Sequence, residues 1–251
     1  VASAKGFLTD PENGSLVMRG ANVSRYQLRE ASQGQAIYLN VDAFLDRRGE
    51  ETKAFHHRLE RVGLQESSAQ NNFRRLIACR IPRGYFCNHK INYTTEKHSR
   101  IPLELVLFIL NSTFADWYFR LGSTNAAVSH YQLLNIPCPR LSSNSAPVNQ
   151  GTLNRLKAQL EELDFAAIEK VSLALASRDG CSPTLTSIIV RLVHYIEREE
   201  EQRGHIARTA RSRLSDHAEA CQAILNKTIL ALLGLGAEKH EYIEARLKRM
   251  L

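Results

Sequence analysis

The sequence predicts an α+β fold, with a mixed or antiparallel sheet domain followed by an all-helical C-terminal subdomain. Three observations predict it. The first 100 residues carry short β-branched and aromatic runs bounded by Gly, Pro, Asn and Ser. Beyond residue 152, Leu, Ile and Val recur at spacings of three and four. Between the two lies LSSNSAPVNQG (141–151), a Ser/Asn/Pro-rich stretch that reads as a linker. The expected boundaries are therefore 1–140, 141–151 and 152–251. At 251 residues the chain is long enough for two domains of ordinary size.

Taken in order, LVMRGANVSRY (16–26), AIYLNV (36–41) and FRRLIACRI (73–81) are strand candidates. The intervening DAFLDRRGEETKAFHHRLERVG mixes Phe44, Leu45, Phe55, Leu59 and Val62 with charge, which predicts a helix stopped by Gly63. In IPRGYFCNHKINYTT, Pro82 and Gly84 break one strand and lead into another. IPLELVLFILNSTFADWYFRLG predicts one long helix, with Pro102 in its first turn, Gly122 at its end and Trp117 and Tyr118 in the core. Past the linker, three apolar-periodic segments follow, through Leu163, through Ile196 and from Ile206 to Leu233. Gly234 and Gly236 then precede a short terminal helix.

Composition excludes several classes. The longest apolar run, Leu105 to Leu110, is too short for a membrane span, and VASAKGFLTDPENG has no signal-peptide core. The chain begins at Val1 rather than Met, which suggests a piece of a longer protein. Five scattered cysteines without a CxxC pair point to free thiols in a reducing cytoplasm, with no disulfide framework or zinc site.

The net charge of +7 is unevenly placed. Residues 1–140 hold 18 Lys and Arg against 12 Asp and Glu, a balance of +6, leaving 15 against 14, or +1, for the remainder. Within Asn71–Arg100, seven basic residues face only Glu96, so a polyanion is the expected partner.

Catalytic constellations are missing. The sequence has no GxGxxG or GxxxxGK[ST] phosphate loop, no GxSxG and no HExxH. It also lacks the NPPY-type loop with which an adenine-N6 methyltransferase holds an extruded base. One nuclease-like pattern remains as an alternative: Asp42 with Glu51 and Lys53 in a D…ExK arrangement that would bind Mg²⁺. No catalytic residue and no metal ligand is otherwise expected.

What does stand out is chemistry for binding. MRGANVSRY offers Arg19, Asn22 and Arg25; the basic strand and loop offer Arg74, Arg75, Arg80, Arg83, Tyr85, Asn88, His89 and Lys90; and NAAVSHYQ offers Asn125, Ser129, His130, Tyr131 and Gln132. Arg, Asn and Gln can bond bidentately to purine edges, and Ser, Tyr and Lys suit phosphates.

The order of these motifs resembles the target recognition domain at the C-terminal end of TaqI-like type II adenine-N6 DNA methyltransferases and fused restriction-modification enzymes. VMRGANVSRY is similar to that family's hRGxxhxRY element, and RRLIACRIPRGYFCNHKINY to its middle basic strand. LNSTFADWYF followed by NIPCP is similar to its late helix, loop and IPxP strand. LNKTILALLGLGAEKHEYIEARL (225–247) is similar to the closing IDxxVYxLYGLTxEE helix pair, departing from it at Asn226, Leu230 and Leu233. Residues 152–222 carry no such signature.

The resemblance implies that residues 1–140 form a DNA target recognition domain reading duplex DNA from the major groove. A methyltransferase domain upstream, or in a separate subunit, would bind S-adenosylmethionine, with no cofactor in this chain. In that reading the helix ending at Leu121 delivers Asn125–Gln132 to DNA, with Ser129, His130 and Gln132 positioning phosphates, and LNIPCP returns as a strand. A different reading makes the helices of 152–222 a protein-interaction module of a larger DNA-processing complex.

Overall fold

The computed structural model describes residues 6–29, 36–46, 48–123, 125–141, 147–176, 180–203 and 213–250. Its first part is built of short strands. β1 (Leu8–Thr9), β2 (Ser15–Met18), the hairpin β3 (Val23–Ser24) and β4 (Gln27–Leu28), and β5 (Tyr38–Leu39) precede a single-turn helix, α1 (Val41–Leu45). Then come β6 (Arg61–Gln65), β7 (Ala78–Ile81), β8 (Phe86–Cys87) and β9 (Ile91–Thr95). A mixed sheet runs β1-β5-β2-β8, parallel only between β2 and β8, and an antiparallel sheet runs β7-β6-β9.

The remainder is helical: α2 (Leu103–Leu110), α3 (Thr113–Gly122), the short α4 (His130–Leu134), α5 (Gln150–Glu161), α6 (Phe165–Leu175), α7 (Pro183–Gln202), α8 (Asp216–Leu232) and α9 (Ala237–Met250). The fold is thus α+β, as the sequence predicts. α7 shows why these segments hold. Ser182 caps it by accepting from the Leu185 N–H, Pro183 occupies its first turn, and Leu185, Ile188, Ile189, Leu192, Val193 and Ile196 form a wholly buried stripe.

Period-two alternation gives the β7-β6-β9 sheet two apolar faces. Val62, Leu64 and Ala78 face the helices and join a buried cluster that continues from Tyr26 to Leu247. Cys79, Ile81 and Ile91 face the other way, onto Met18 and Val23. Both sequence halves therefore share one core, with α2 packed on β6, β7 and α7.

Several local expectations are corrected. The helix expected over 42–63 is only α1 and a 3-10 segment, Lys53–Arg58, while Val62 and Gly63 lie inside β6. Gly63 is not a helix stop. It stands opposite Cys79 and Tyr93, and a Cβ there would come within 2.3 Å of Ile81 Cδ1. The strand expected over 16–26 is interrupted by a 3-10 turn, Gly20–Asn22, and residues 73–77 run as loop before β7.

The long helix of 102–122 breaks at Asn111 and Ser112. Asn111 is fully buried and holds both the N–H and the carbonyl of Ala78, at 3.2 and 3.0 Å, so its side chain continues the ladder that a strand neighbour would supply. Ser112 then caps α3 by accepting from the Ala115 N–H. NIPCP is no strand: α4 occupies His130–Leu134, Ile136–Arg140 form no regular element, and the Arg140 carbonyl accepts from the Cys181 N–H at 2.7 Å. Part of the linker, 142–146, and the start of the third helical segment, 206–212, lie outside the described residues. α5 already begins at Gln150.

Candidate nucleic-acid interface

The sequence-predicted binding residues divide into those that build the fold and those that face outward. Asn22, Arg25, Arg74 and Arg75 are at most 5% exposed. The Asn22 amide donates to the Arg29 carbonyl at 2.6 Å. Arg25 and Arg74 both donate to the Asn111 carbonyl, at 3.2 and 2.6 Å, and Arg25 also reaches Glu219 at 3.4 Å. They close the open C-terminus of α2, where a carbonyl needs a donor. Tyr26 completes the joint. Its backbone is left-handed (φ 62), and its buried hydroxyl donates to Gln222 on α8 at 2.7 Å. Burial raises the phenol well above its ordinary range, so it stays a donor.

The RY and LNS motifs therefore lock the hairpin, α2 and α8 together. Asn226 belongs to the same joint, accepting from the Thr113 N–H at 2.9 Å and from Gln222 at 3.0 Å.

Arg75 has a positioning role. One of its terminal nitrogens donates to the Asn125 carbonyl at 2.7 Å and to Ser123 Oγ at 3.1 Å, pinning the start of the Asn125–Gln132 loop. Its own backbone is fixed by Asp116, which sequence reasoning missed. Asp116 Oδ1 accepts from the N–H groups of Arg75 and Leu76 at 2.7 and 2.8 Å, and Oδ2 accepts from Arg120 at 2.9 Å. Only the Asp/Arg spacing of four on one helix face hinted at this pair.

Most of the remaining cations of the basic stretch are paired. Arg80 is held by Glu60, Glu104 and Glu197, Arg83 by Glu96 at 2.8 Å, and Lys90 by Glu66 at 3.1 Å. Apart from the buried Arg74 and Arg75, which are spent on carbonyls, only Lys97 and Arg100 among the described residues of that stretch lack a carboxylate partner, so the charge count overstates the basic surface.

The three predicted loops nevertheless meet. The Met18 carbonyl accepts from the Asn88 N–H at 2.9 Å, and a Cβ on Gly20 would stand 2.9 Å from the Lys90 carbonyl oxygen. Glycine thus lets the Arg19–Asn22 turn, closed by the Arg19 N–H on the Asn22 amide, lie against Asn88–Lys90. Asn88 Oδ1 accepts from the Lys90 N–H at 2.9 Å, an Asx turn that fixes His89 outward, and the Tyr85 carbonyl is held by the buried Arg61 at 2.6 Å. On the other side, the Val128 N–H bonds the Glu66 carbonyl and Asn92 donates to the Val128 carbonyl, so the third loop is stitched to β6 and β9. Asn125, Ser129, His130 and Tyr131 are exposed, Tyr131 at 77%, and Gln132 folds back onto the Gly122 carbonyl.

Beside the second and third loops, two grooves of about 580 and 310 Å³ adjoin through Lys53, Ile91, Asn92 and Tyr93. Their walls carry Arg48, Lys53, Arg61 and five histidines, His56, His57, His89, His98 and His130, and no carboxylate. Burial, then the neighbouring His98 and Arg61, lower the pKa of His56; burial also lowers that of His57. The site thus favours the neutral form of both rings, and a nearby polyanion would favour the charged form. Lys53, His56, Asn92 and His98 were not among the predicted site residues. Their signal was absent because β6 and β9, which bring 53–58 beside 91–98, could not be paired from sequence.

The nuclease alternative finds no support. Asp42 lies in α1, Glu51 is in the turn that follows, and Lys53 opens the 3-10 segment. Among the described residues no group of three or more His, Cys, Asp or Glu is placed to hold a metal ion. No described helix is long and apolar enough to cross a membrane.

No family model and no curated protein sequence matches the chain. It is similar to a solved structure of the Type IIL restriction-modification enzyme MmeI in complex with DNA, with a TM-score of 0.49 and 8% sequence identity. The match covers 99% of this chain and 32% of that one, so this chain spans about a third of its length. The likeness is too distant to assign this chain a function.

Proposed function

We propose that this chain is a duplex-DNA recognition module of a type II restriction-modification protein. The observation that carries the reading is the pair of confluent grooves, lined by cations and histidines without a carboxylate, to which the second loop gives Asn88 and His89 and the third gives His130. Asn88, His89, Asn92 and His130 supply the donors and acceptors that base edges and phosphates require. The motif order extends the reading to a site-specific adenine-N6 methyltransferase. Catalysis and S-adenosylmethionine then belong to another domain or subunit, because this chain has neither an NPPY-type loop nor a glycine-rich nucleotide loop.

Anisotropy titration of labelled duplex DNA against salt tests the reading. The logarithm of affinity is expected to fall linearly with the logarithm of salt concentration, with a slope of about 0.9 per phosphate neutralised. Lys53→Ala should lower that slope, and acidification below the ordinary imidazole range should tighten binding as His56 and His57, whose pKa values are lowered by burial, take up protons. A salt-independent affinity, or one untouched by Lys53→Ala together with His98→Ala, would rule the grooves out.

A further inference from the structure

The helical half carries a cleft that the DNA reading does not use. α5 and α7 pack side by side, and the seam between them opens into a space of about 340 Å³. Its α7 wall is Arg191, His194 and Arg198, with Tyr195 beneath; its α5 wall is Lys157 and Glu161, with Leu160 beneath. The α7 residues follow helical spacing and so form a row of cations along one face.

The surrounding acids are occupied elsewhere. Glu197 binds Arg80 at 2.9 Å, Glu199 lies 3.6 Å from His217, and Glu200 accepts from the Ser215 N–H at 2.7 Å. Glu161 approaches Lys157 only at 3.9 Å, between two well-exposed side chains, which is a weak contact. Arg191 and Arg198, by contrast, have no carboxylate partner among the described residues, and both are held in place. Arg191 donates to the Leu153 carbonyl at 3.0 Å and Arg198 lies over the Tyr195 ring at 5.3 Å. Arginines fixed in this way lose little freedom when they bind an anion. Beneath the row, Glu104 on α2 accepts from His194 at 3.2 Å and raises its pKa.

We infer that the α5–α7 seam is a second phosphate-binding cleft, which takes the sugar-phosphate backbone of nucleic acid away from the base-reading grooves. The inference rests on the DNA reading above. A row from Arg191 to Arg198 spans about 10 Å at 1.5 Å per residue. That covers about three nucleotide steps at about 3.4 Å of axial rise per strand. An extended polyanion fits such a line better than a single compact anion does, and the apolar floor of Leu160 and Tyr195 strengthens each charge contact.

The test uses the full chain, labelled random-sequence duplex DNA and the double variant Lys157→Ala/Arg198→Ala, with thermal melting as the fold control. The expected result is a salt slope lower by about 1.8, from two lost phosphate contacts, at an unchanged melting temperature. If the double variant melts early, Lys157→Glu decides, since that side chain is 74% exposed and holds nothing in the core; weakened DNA binding supports the cleft. An unchanged slope in a normally folded variant, with Lys53→Ala still lowering it, overturns the cleft and leaves the DNA reading standing. Wild-type protein that binds no duplex at low salt overturns both. Inorganic phosphate that binds the seam while the DNA slope stays the same in the variant removes the nucleic-acid assignment.

Discussion

Replacing Asp116 tests how the fold holds the Asn125–Gln132 loop. In Asp116→Ala the fully buried N–H groups of Arg75 and Leu76 lose their acceptor, and Arg120, whose side chain is 5% exposed, loses its counter-charge. Two unsatisfied buried donors cost about 1–3 kcal/mol each. The guanidinium keeps its bonds to the Gln70 and Asn72 carbonyls at 3.0 and 2.7 Å, so its share lies below the ~3–5 kcal/mol of a fully broken buried pair. With about 1–2 kcal/mol for the guanidinium, a destabilisation of about 3–8 kcal/mol follows, a large part of the ~5–15 kcal/mol typical of a domain. Asp116→Asn keeps the Oδ1 acceptor for both N–H groups but loses the charge, and should cost about 1.5–3 kcal/mol. Urea denaturation followed by circular dichroism measures both, and DNA titration of the folded fraction reads the consequence for the loop that Arg75 pins. If Asp116→Ala unfolds within about 0.5 kcal/mol of wild type, the error expected of unrelated surface changes, the assignment is wrong.

The His194–Glu104 pair should give stability a maximum between the ordinary carboxylate and imidazole ranges. Glu104, lowered to about 2 chiefly by its hydrogen bond from His194, contributes stability that is lost as pH falls below the carboxylate range. His194, raised by the same bond, contributes stability present below its ordinary pKa and lost as pH rises through its raised value. Buried Glu197, whose pKa is raised, opposes the acid limb, while Arg80 stays charged throughout. Melting temperature against pH should lose its alkaline decline in His194→Gln; a decline that persists excludes the pair as its cause. Separately, Gly63→Ala should cost about 1–3 kcal/mol by overpacking. Ile81→Val, which removes the Cδ1 that would lie 2.3 Å away, should recover part of it in the double mutant; strict additivity of the two in urea melts would show that they do not touch.

Apolar periodicity by itself determined the helical C-terminal half, because a stripe such as Leu185 to Ile196 has only one way to be buried. Short β-branched runs also marked Ala78–Ile81 and Ile91–Thr95 as strands, and the three loops that meet were each legible as donor-rich turns. The sequence did not reveal strand pairing. β6 was read as the end of a helix because Arg61, Gly63 and Gln65 hide its alternation. Arg61 is buried by bonds to the Tyr85 and Pro82 carbonyls, and Gly63 is small because Ile81 crosses it.

Only the tertiary structure decided which arginines face a partner. Arg25, Arg74 and Arg75 have the residue type and setting of binding side chains, yet the opened backbone at Asn111 and the Asn125 turn draw them inward. A guanidinium is as well suited to closing stray carbonyls as to gripping phosphates, and which it does depends on whether a neighbouring chain end needs a donor. That need arises from the break between α2 and α3, which exists because Asn111 bonds to a strand 33 residues away in sequence. Spacing along the chain carries no trace of such a contact.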